Sequence, residues 1–498
     1  MKHLVRFPWP RRHRNAPGVG PSTPGAGPAL AGLAAGPDEA HDDAATMEAV
    51  LSALTGEAEP VRAGTTLETD SEDAPAVTVK LPDRMPREKP DGAEGAAAGS
   101  DASGPAEARG SSATALDEAI AATVAGAPTG TAPVGAAATL AGRVRAAWAP
   151  WRPLRPFLLA TLAPVPVLVL AGFFGGLWSL AALLCMTGLL HAIDAVALRR
   201  GLSAPGQVPA RMADRLSLLL AGLHFLLLPF AVWVLTGATG LGFLDGMATL
   251  LAFGLWFGQV SNSNAHELIH RAERRLFRTG MWVYISLLFG HHTSAHRLVH
   301  HRFVATTDDP NTAAAGESFY LFAARAWPGA FVAGYEMEAH RRVARQGRSL
   351  FDPHPYAVYV AGGTLWVVAI LAAFGLDGLL AYLLLCAHAQ VQLLLSDYVQ
   401  HYGLLRRELP SGALEPAGIR HSWDAPHPVS GLMMLNAPRH ADHHSHPARR
   451  YPDLRLSAGG QAPLLPYSLP VMATIALVPP LWHRIMDRRL ARLGLAGD

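Results

Sequence analysis

The feature that most limits the fold of this chain is a set of six apolar runs, near residues 157–175, 177–197, 216–235, 241–260, 356–375 and 378–395. Each is long enough to cross the hydrocarbon core of a bilayer, for which about 20 helical residues suffice. They predict an all-α integral membrane protein with six transmembrane helices. The runs pair into three hairpins whose turns, at 175–176, 236–240 and 376–377, hold no Lys or Arg. The opposite ends carry Arg143, Arg145, Arg152 and Arg155, then Arg199, Arg200, Arg211 and Arg215. The positive-inside rule then places both termini and every long polar loop in the cytoplasm, for a multi-pass protein of the cell inner membrane.

Residues 1–145 are of another kind. Ala, Gly, Pro, Asp, Glu, Ser and Thr dominate, and aromatic side chains almost vanish after Trp9. Such a segment buries too little apolar surface to offset its ordering entropy, so disorder is expected there and the membrane domain occupies 146–498. A formal net charge of +2 gives no reason to expect nucleic acid. The two cysteines, Cys185 and Cys386, sit inside apolar runs. That excludes a disulfide framework and any four-cysteine iron or zinc site within the chain.

The unusual count is 23 histidines, most of them in the second half. The first cluster is His266-Glu267-Leu268-Ile269-His270. On a helix, positions i and i+4 share a face, so both imidazoles reach one metal. Alone, this is also the zinc-protease pattern, with Glu267 as a general base. The second cluster, His296-Arg297-Leu298-Val299-His300-His301, and the third, His440-Ala441-Asp442-His443-His444, each combine a helical pair with an adjacent His that points elsewhere. Such a doublet serves two metals, or one metal from two sides. A protease needs one further ligand and has no use for six more histidines. Topology brings all three clusters to one side of the membrane, where they predict metal binding. Without nearby thiolates, iron–sulfur and thiolate-zinc sites are excluded. A soluble di-iron bundle would use Glu and Glu-x-x-His pairs, which are missing. Residue chemistry alone leaves iron, zinc and copper open.

Other ionisable residues read more plainly. His291 and His292, beside the second cluster, read as loop histidines or as supports touching the ligand rings from outside. His191 and Asp194 close the second span, with capping weighed equally against function. His224 and His388, inside spans, read as structural. The span centres are otherwise nearly free of charge, unlike those of a transporter.

From about residue 155 onward the chain resembles the membrane alkane monooxygenases, within the membrane fatty acid desaturase and hydroxylase superfamily. The resemblance rests on Asn264 to His270; on His296 with His300-His301 and the following Asp309-Pro310 and Gly316-Glu317-Ser318-Phe319-Tyr320; on Tyr398 with His401-Tyr402-Gly403-Leu404; on His421-Ser422-Trp423; and on Arg439 to His444. It implies two non-haem irons on nine histidines: His266, His270, His296, His300, His301, His401, His440, His443 and His444. Glu267, Asp309, Gln400, His421 and Asp442 are candidates to steady those rings from outside. The implied reaction is hydroxylation of the terminal carbon of an alkane or similar alkyl chain, with O2 as co-substrate. Because the chain has no Cys-x-x-Cys pairs, electrons are expected from a separate rubredoxin or ferredoxin with its reductase. The competing enzymatic reading is a fatty-acyl or other lipid desaturase or hydroxylase; the non-enzymatic one is a metal-binding membrane protein. Four positions depart from the family pattern: Ala295 and Gln400 stand where Glu is usual, Val299 where Gly is, and Pro438 where Gln is. The two lost carboxylates lie beside an all-imidazole site, where they would orient ligands and tune the metal.

Overall fold

A computed structural model describes residues 149–201, 208–344, 353–457 and 461–495. The expectation of disorder for residues 1–145 falls outside them. Among the described residues there is no β-strand, only the isolated bridges Glu408–Leu414 and Asp424–Leu464. Five helices are long and apolar enough to cross a membrane: α1 (Trp151–Phe174), α2 (Leu177–Arg199), α3 (Ala210–Ala238), α4 (Phe243–Ile269) and, past α5 (Arg274–Ser286) and α6 (Phe319–Ala344), the 47-residue α7 (Pro355–His401). Beyond a six-residue helix at Pro428–Met433 lie α8 (His440–Ser445), α9 (Leu469–Ala476) and α10 (Pro479–Arg492).

A straight helix the length of α7 would reach about 70 Å, over twice the hydrocarbon thickness. It is not straight. Gly375 adopts φ 66° and ψ −162°, a conformation open to glycine and costly for any residue with a Cβ. The two limbs then meet the same neighbours. On the first limb, a Cβ at Gly362 would press on Ile285 and Trp282. On the second, Tyr382 Oη donates to the Ser286 carbonyl (2.7 Å) and Gln390 Nε2 to the Leu287 carbonyl (2.8 Å). The helix therefore doubles back on itself, one residue before the turn read from the sequence.

The α1–α2 turn is made by Gly175 and Gly176, both with positive φ, and the Gly176 N–H donates to Asp245 Oδ1 at the start of α4 (2.8 Å). At the hairpin tips Leu177, Phe243, Leu244 and Leu376 are almost fully exposed. Apolar tips on apolar helices suit a bilayer, and the chain is an integral membrane protein. The core lies between these helices, around Phe253, Trp256 and Phe257 of α4 and Tyr382, Leu385 and Cys386 of α7.

Two details position the site. Helix α4 does not stop near Val260 but passes through a π-turn at Phe257–Ser261 and continues to Ile269, carrying His266 at its end. Helix α7 likewise continues past Leu395 to His401. The chain leaves α7 through Tyr402 and Gly403, pinned from several sides. Trp423 Nε1 donates to the Tyr402 carbonyl (2.9 Å), Tyr402 Oη to Asp487 Oδ1 of α10 (2.6 Å), and the Gly403 N–H to the Ala313 carbonyl (2.9 Å). Gly403 has φ +71°, and a Cβ there would collide with Leu490.

Candidate metal centre

Nine imidazoles converge where α4, α7, α8 and the segment 292–303 meet. Their ligand atoms fall into two groups, each within 4.8 Å: His266, His270, His296, His301 and His443 in one, and His300, His401, His440 and His444 in the other. Within the groups, Nε2 faces Nε2. His296 lies 2.8 Å from His266 and 3.0 Å from His301, and His301 lies 3.1 Å from His443. His440 lies 2.9 Å from His401 and 3.0 Å from His444, and His444 lies 3.2 Å from His300.

A neutral Nε2 is either donor or acceptor, so such rings of nitrogens cannot all be hydrogen-bonded pairs. The buried Nε2 of His270 has no hydrogen-bond partner among the described residues. Two nitrogens bound at about 2.1 Å to one cation, at a right angle, sit about 3.0 Å apart. The spacing and the orphaned nitrogen both fit a cation in each group. Burial, reinforced by neighbouring imidazoles, holds His270, His296, His301, His440, His443 and His444 well below the usual histidine range. They are therefore neutral and able to ligate.

Local geometry sorts the ligands. His266 and His270 share a face by i, i+4 spacing, as do His440 and His444, leaving His443 to the other group. The second cluster departs from that pattern. Ala295–His300 is a π-turn, in which the ladder runs i to i+5. In a ladder of that pitch the residue five on comes round to the same side, so His296 joins His301, and His300 turns to the other group.

The residues proposed to steady the rings differ in what they touch. His300 Nδ1 donates to Asp309 Oδ2 (2.8 Å), and the same carboxylate accepts from Thr312 Oγ1 (2.7 Å) and the Asn311 N–H (3.1 Å). Burial lowers the pKa of His300, but the Asp309 charge outweighs it and the net shift is upward. His421 acts through its backbone, its carbonyl accepting from His401 Nδ1 (3.1 Å). Glu267 pairs with Arg271 (3.5 Å). Gln400 accepts from Ser396 (2.8 Å) and donates to the Ala437 carbonyl (3.2 Å). Asp442 binds Arg449, His446 and the Arg455 N–H. None of these last three meets an imidazole of the two groups.

Sequence reasoning missed two carboxylates. Asp424, pushed up to about 7 by burial, accepts from the Ala441 N–H (2.8 Å) and so fixes the start of α8. Asp397 accepts from Asn311 Nδ2 (2.6 Å), tying α7 to the Asp309 loop. Their one sequence signal was position beside His421 and His401. Asp194 proves to be a cap, its carboxylate accepting from the N–H groups of Val429 (2.6 Å) and Ser430 (3.1 Å). His292 stacks on His296 at 5.1 Å between centroids.

A cavity of about 530 Å³ opens onto His266, His296 and His440. Its wall is mainly apolar, with Leu255, Val391, Leu395, Leu469 and Ile475 among its residues.

Apolar helices delivering clustered imidazoles to a shared apolar cavity describe a membrane oxidoreductase of the desaturase and hydroxylase superfamily, and residues 244–475 match the family described as fatty acid desaturase. The relatives narrow this. The chain is 33% identical over 322 residues to alkane 1-monooxygenase 1 of Alcanivorax borkumensis, covering 63% of this chain and 78% of that one. It is 32% identical over 345 residues to alkane 1-monooxygenase of Ectopseudomonas oleovorans, covering 67% and 84%, and 33% identical over 277 residues to that of Pseudomonas putida, covering 55% and 67%. The chain belongs to the alkane 1-monooxygenase family.

Proposed function

We propose that this protein hydroxylates the terminal carbon of an alkane or a similar alkyl chain. One C–H bond breaks and one C–O bond forms. One atom of O2 enters the alcohol, and the other leaves as water with two electrons and two protons supplied from outside. The observation that carries this reading is the pair of adjoining imidazole groups at an apolar cavity. His266, His270, His296, His301 and His443 would hold one iron, and His300, His401, His440 and His444 the other. Bound irons would supply the reductive activation of O2. The chain's own part is to place and insulate. Asp309 and the His421 carbonyl fix the tautomers of His300 and His401, turning each Nε2 lone pair inward. The apolar wall desolvates the alkyl chain and keeps water from the reacting end. In this reading α7 crosses the bilayer twice, for six spans, with the imidazoles and both termini on the cytoplasmic side of the inner membrane. A rubredoxin or ferredoxin with its reductase would donate there.

The test is elemental analysis of purified protein, followed by conversion of octane with O2 and reductant. Octan-1-ol and about two irons per chain are expected. An alkene product would reassign the chain to desaturation, and a single zinc without iron would remove the oxygenase reading.

A further inference from the structure

Among the described residues, the wall of the cavity holds one carboxylic acid, Asp397, and no Lys or Arg. Asp397 sits on the second limb of α7, four residues before His401. On a helix that spacing puts two side chains on one face, about 6 Å apart along the axis. The acid is therefore one turn from a member of the four-histidine group, in the wall that His266, His296 and His440 also line.

Its two oxygens are used unequally. Oδ2 accepts from Asn311 Nδ2 (2.6 Å). Oδ1 has no hydrogen-bond partner among the described residues and is not sealed off, and the residue keeps 6% exposure where it lines the cavity. An amide oxygen or a hydroxyl would serve Asn311 as well, so that hydrogen bond does not call for an acid. An ionisable group beside an apolar cavity within a membrane bundle is costly, and it marks a functional site.

The polar neighbours are already paired or have no proton to give. Gln400, which stands where the family pattern has Glu, accepts from Ser396 and donates to the Ala437 carbonyl. Tyr284 Oη, in the same wall, donates to the Asn262 carbonyl (3.2 Å). The chain thus lacks an acid at 400 and carries one at 397, one turn earlier on the same helix. With no Lys or Arg in the wall, no fixed cation confines Asp397 to its carboxylate form, and it can cycle between acid and base.

We infer that Asp397 is the acid that delivers a proton to the oxygen atom leaving as water. The inference rests on the oxygenase reading. The O–H bond of the carboxyl group breaks, and an O–H bond forms on the departing oxygen. The two electrons come from the external donor, and the carboxylate takes its next proton from water.

Asp397→Asn keeps an acceptor for Asn311 and removes the proton. Wild type and variant are to be compared as iron-loaded full-length protein in membranes, with octane, O2 and reductant. Iron content and the chelator concentration that removes it should match wild type. Octan-1-ol formation should fall at least about 100-fold, the contribution typical of a positioned acid. The O2 consumed without alcohol should appear as hydrogen peroxide, carrying the two electrons and two protons. Adding Gln400→Glu to Asp397→Asn returns an acid to the same helix one turn along, and should recover the rate about tenfold. Iron loss in Asp397→Asn, a wild-type rate and peroxide yield, or a defect that Gln400→Glu does not relieve overturns the inference while the oxygenase reading stands. No octan-1-ol from wild type overturns both.

Discussion

Asp309→Ala isolates one half of the metal centre. Asp309 touches a single imidazole of the nine, His300, and that ring belongs to the four-histidine group. Its hydrogen bond to a buried ring is charge-assisted, of a kind worth about 1.5–3 kcal/mol. In a binding constant that is about 10- to 100-fold, the range typical when a partner outside the ligand set is removed. Thr312 Oγ1 and the Asn311 N–H lose the same acceptor, so the figure is a lower bound. The five-histidine group keeps every contact it had. A chelator titration of the iron-loaded protein, followed by elemental analysis, should therefore become biphasic. About one iron should leave at roughly 10- to 100-fold lower chelator, and about one at the wild-type concentration. Asp309→Asn keeps the shape and one acceptor oxygen but loses the charge and the acceptor of one loop donor, and should fall between. If both irons leave Asp309→Ala at the wild-type concentration, the carboxylate does not act on His300. If both shift equally, the two groups are not separate sites.

The remaining expectations are brief. Gly403→Ala places a Cβ at φ +71° against Leu490, and should cost about 1–3 kcal/mol in thermal or denaturant unfolding while weakening the site that His401 completes; wild-type stability would mean the turn tolerates a side chain. Lowering pH should release metal and destabilise the fold, because six imidazoles outside the spans are held well below their unfolded value of about 6.5. Below that value the unfolded chain binds protons that the native site refuses, so stability is full above it and declines beneath it. His300 and Asp424, both shifted upward, oppose this in part. Iron retention measured against pH that rises toward acid would contradict the sign. Reporter fusions at Gly175 and Leu376 should read periplasmic, and one at Arg200 cytoplasmic; a cytoplasmic reading at Leu376 would remove the double crossing of α7.

Much of the fold was legible because bilayer thickness and backbone satisfaction leave few choices for long apolar runs. The helix hairpins at Gly175 and near Gly375 follow from apolar length and glycine alone. What escaped was continuity. Val260 and Leu395 looked like ends because polarity rises there, yet buried polar partners let the helices run on. Asn262 Nδ2 donates to the Ala389 carbonyl and Asn264 Nδ2 to the Ser217 carbonyl, at 2.8 and 2.9 Å. Hydrophobicity cannot register that compensation.

The division of the nine histidines was illegible for a different reason. Spacing arguments assume an α-helix, where i+4 stacks on i. That assumption places His300 with His296, just as His270 goes with His266. The Ala295–His300 π-turn inverts this, giving His301 to His296 and turning His300 toward His401 and His440. Had the turn been α-helical, His301 would face away from His296, and neither group would have its present members. A π-turn is a local fault in an otherwise favourable ladder and persists where its surroundings hold it. Here Asp309 grips His300 from one side. On the other, Ser294, just before the turn, donates to Glu338 of α6 (2.7 Å) and meets Tyr359 Oη of α7 (2.8 Å). The resemblance left Ala295 without the usual carboxylate beside the second cluster. The structure brings Glu338 to the neighbouring residue from another helix, an arrangement that no pattern along the chain could reveal.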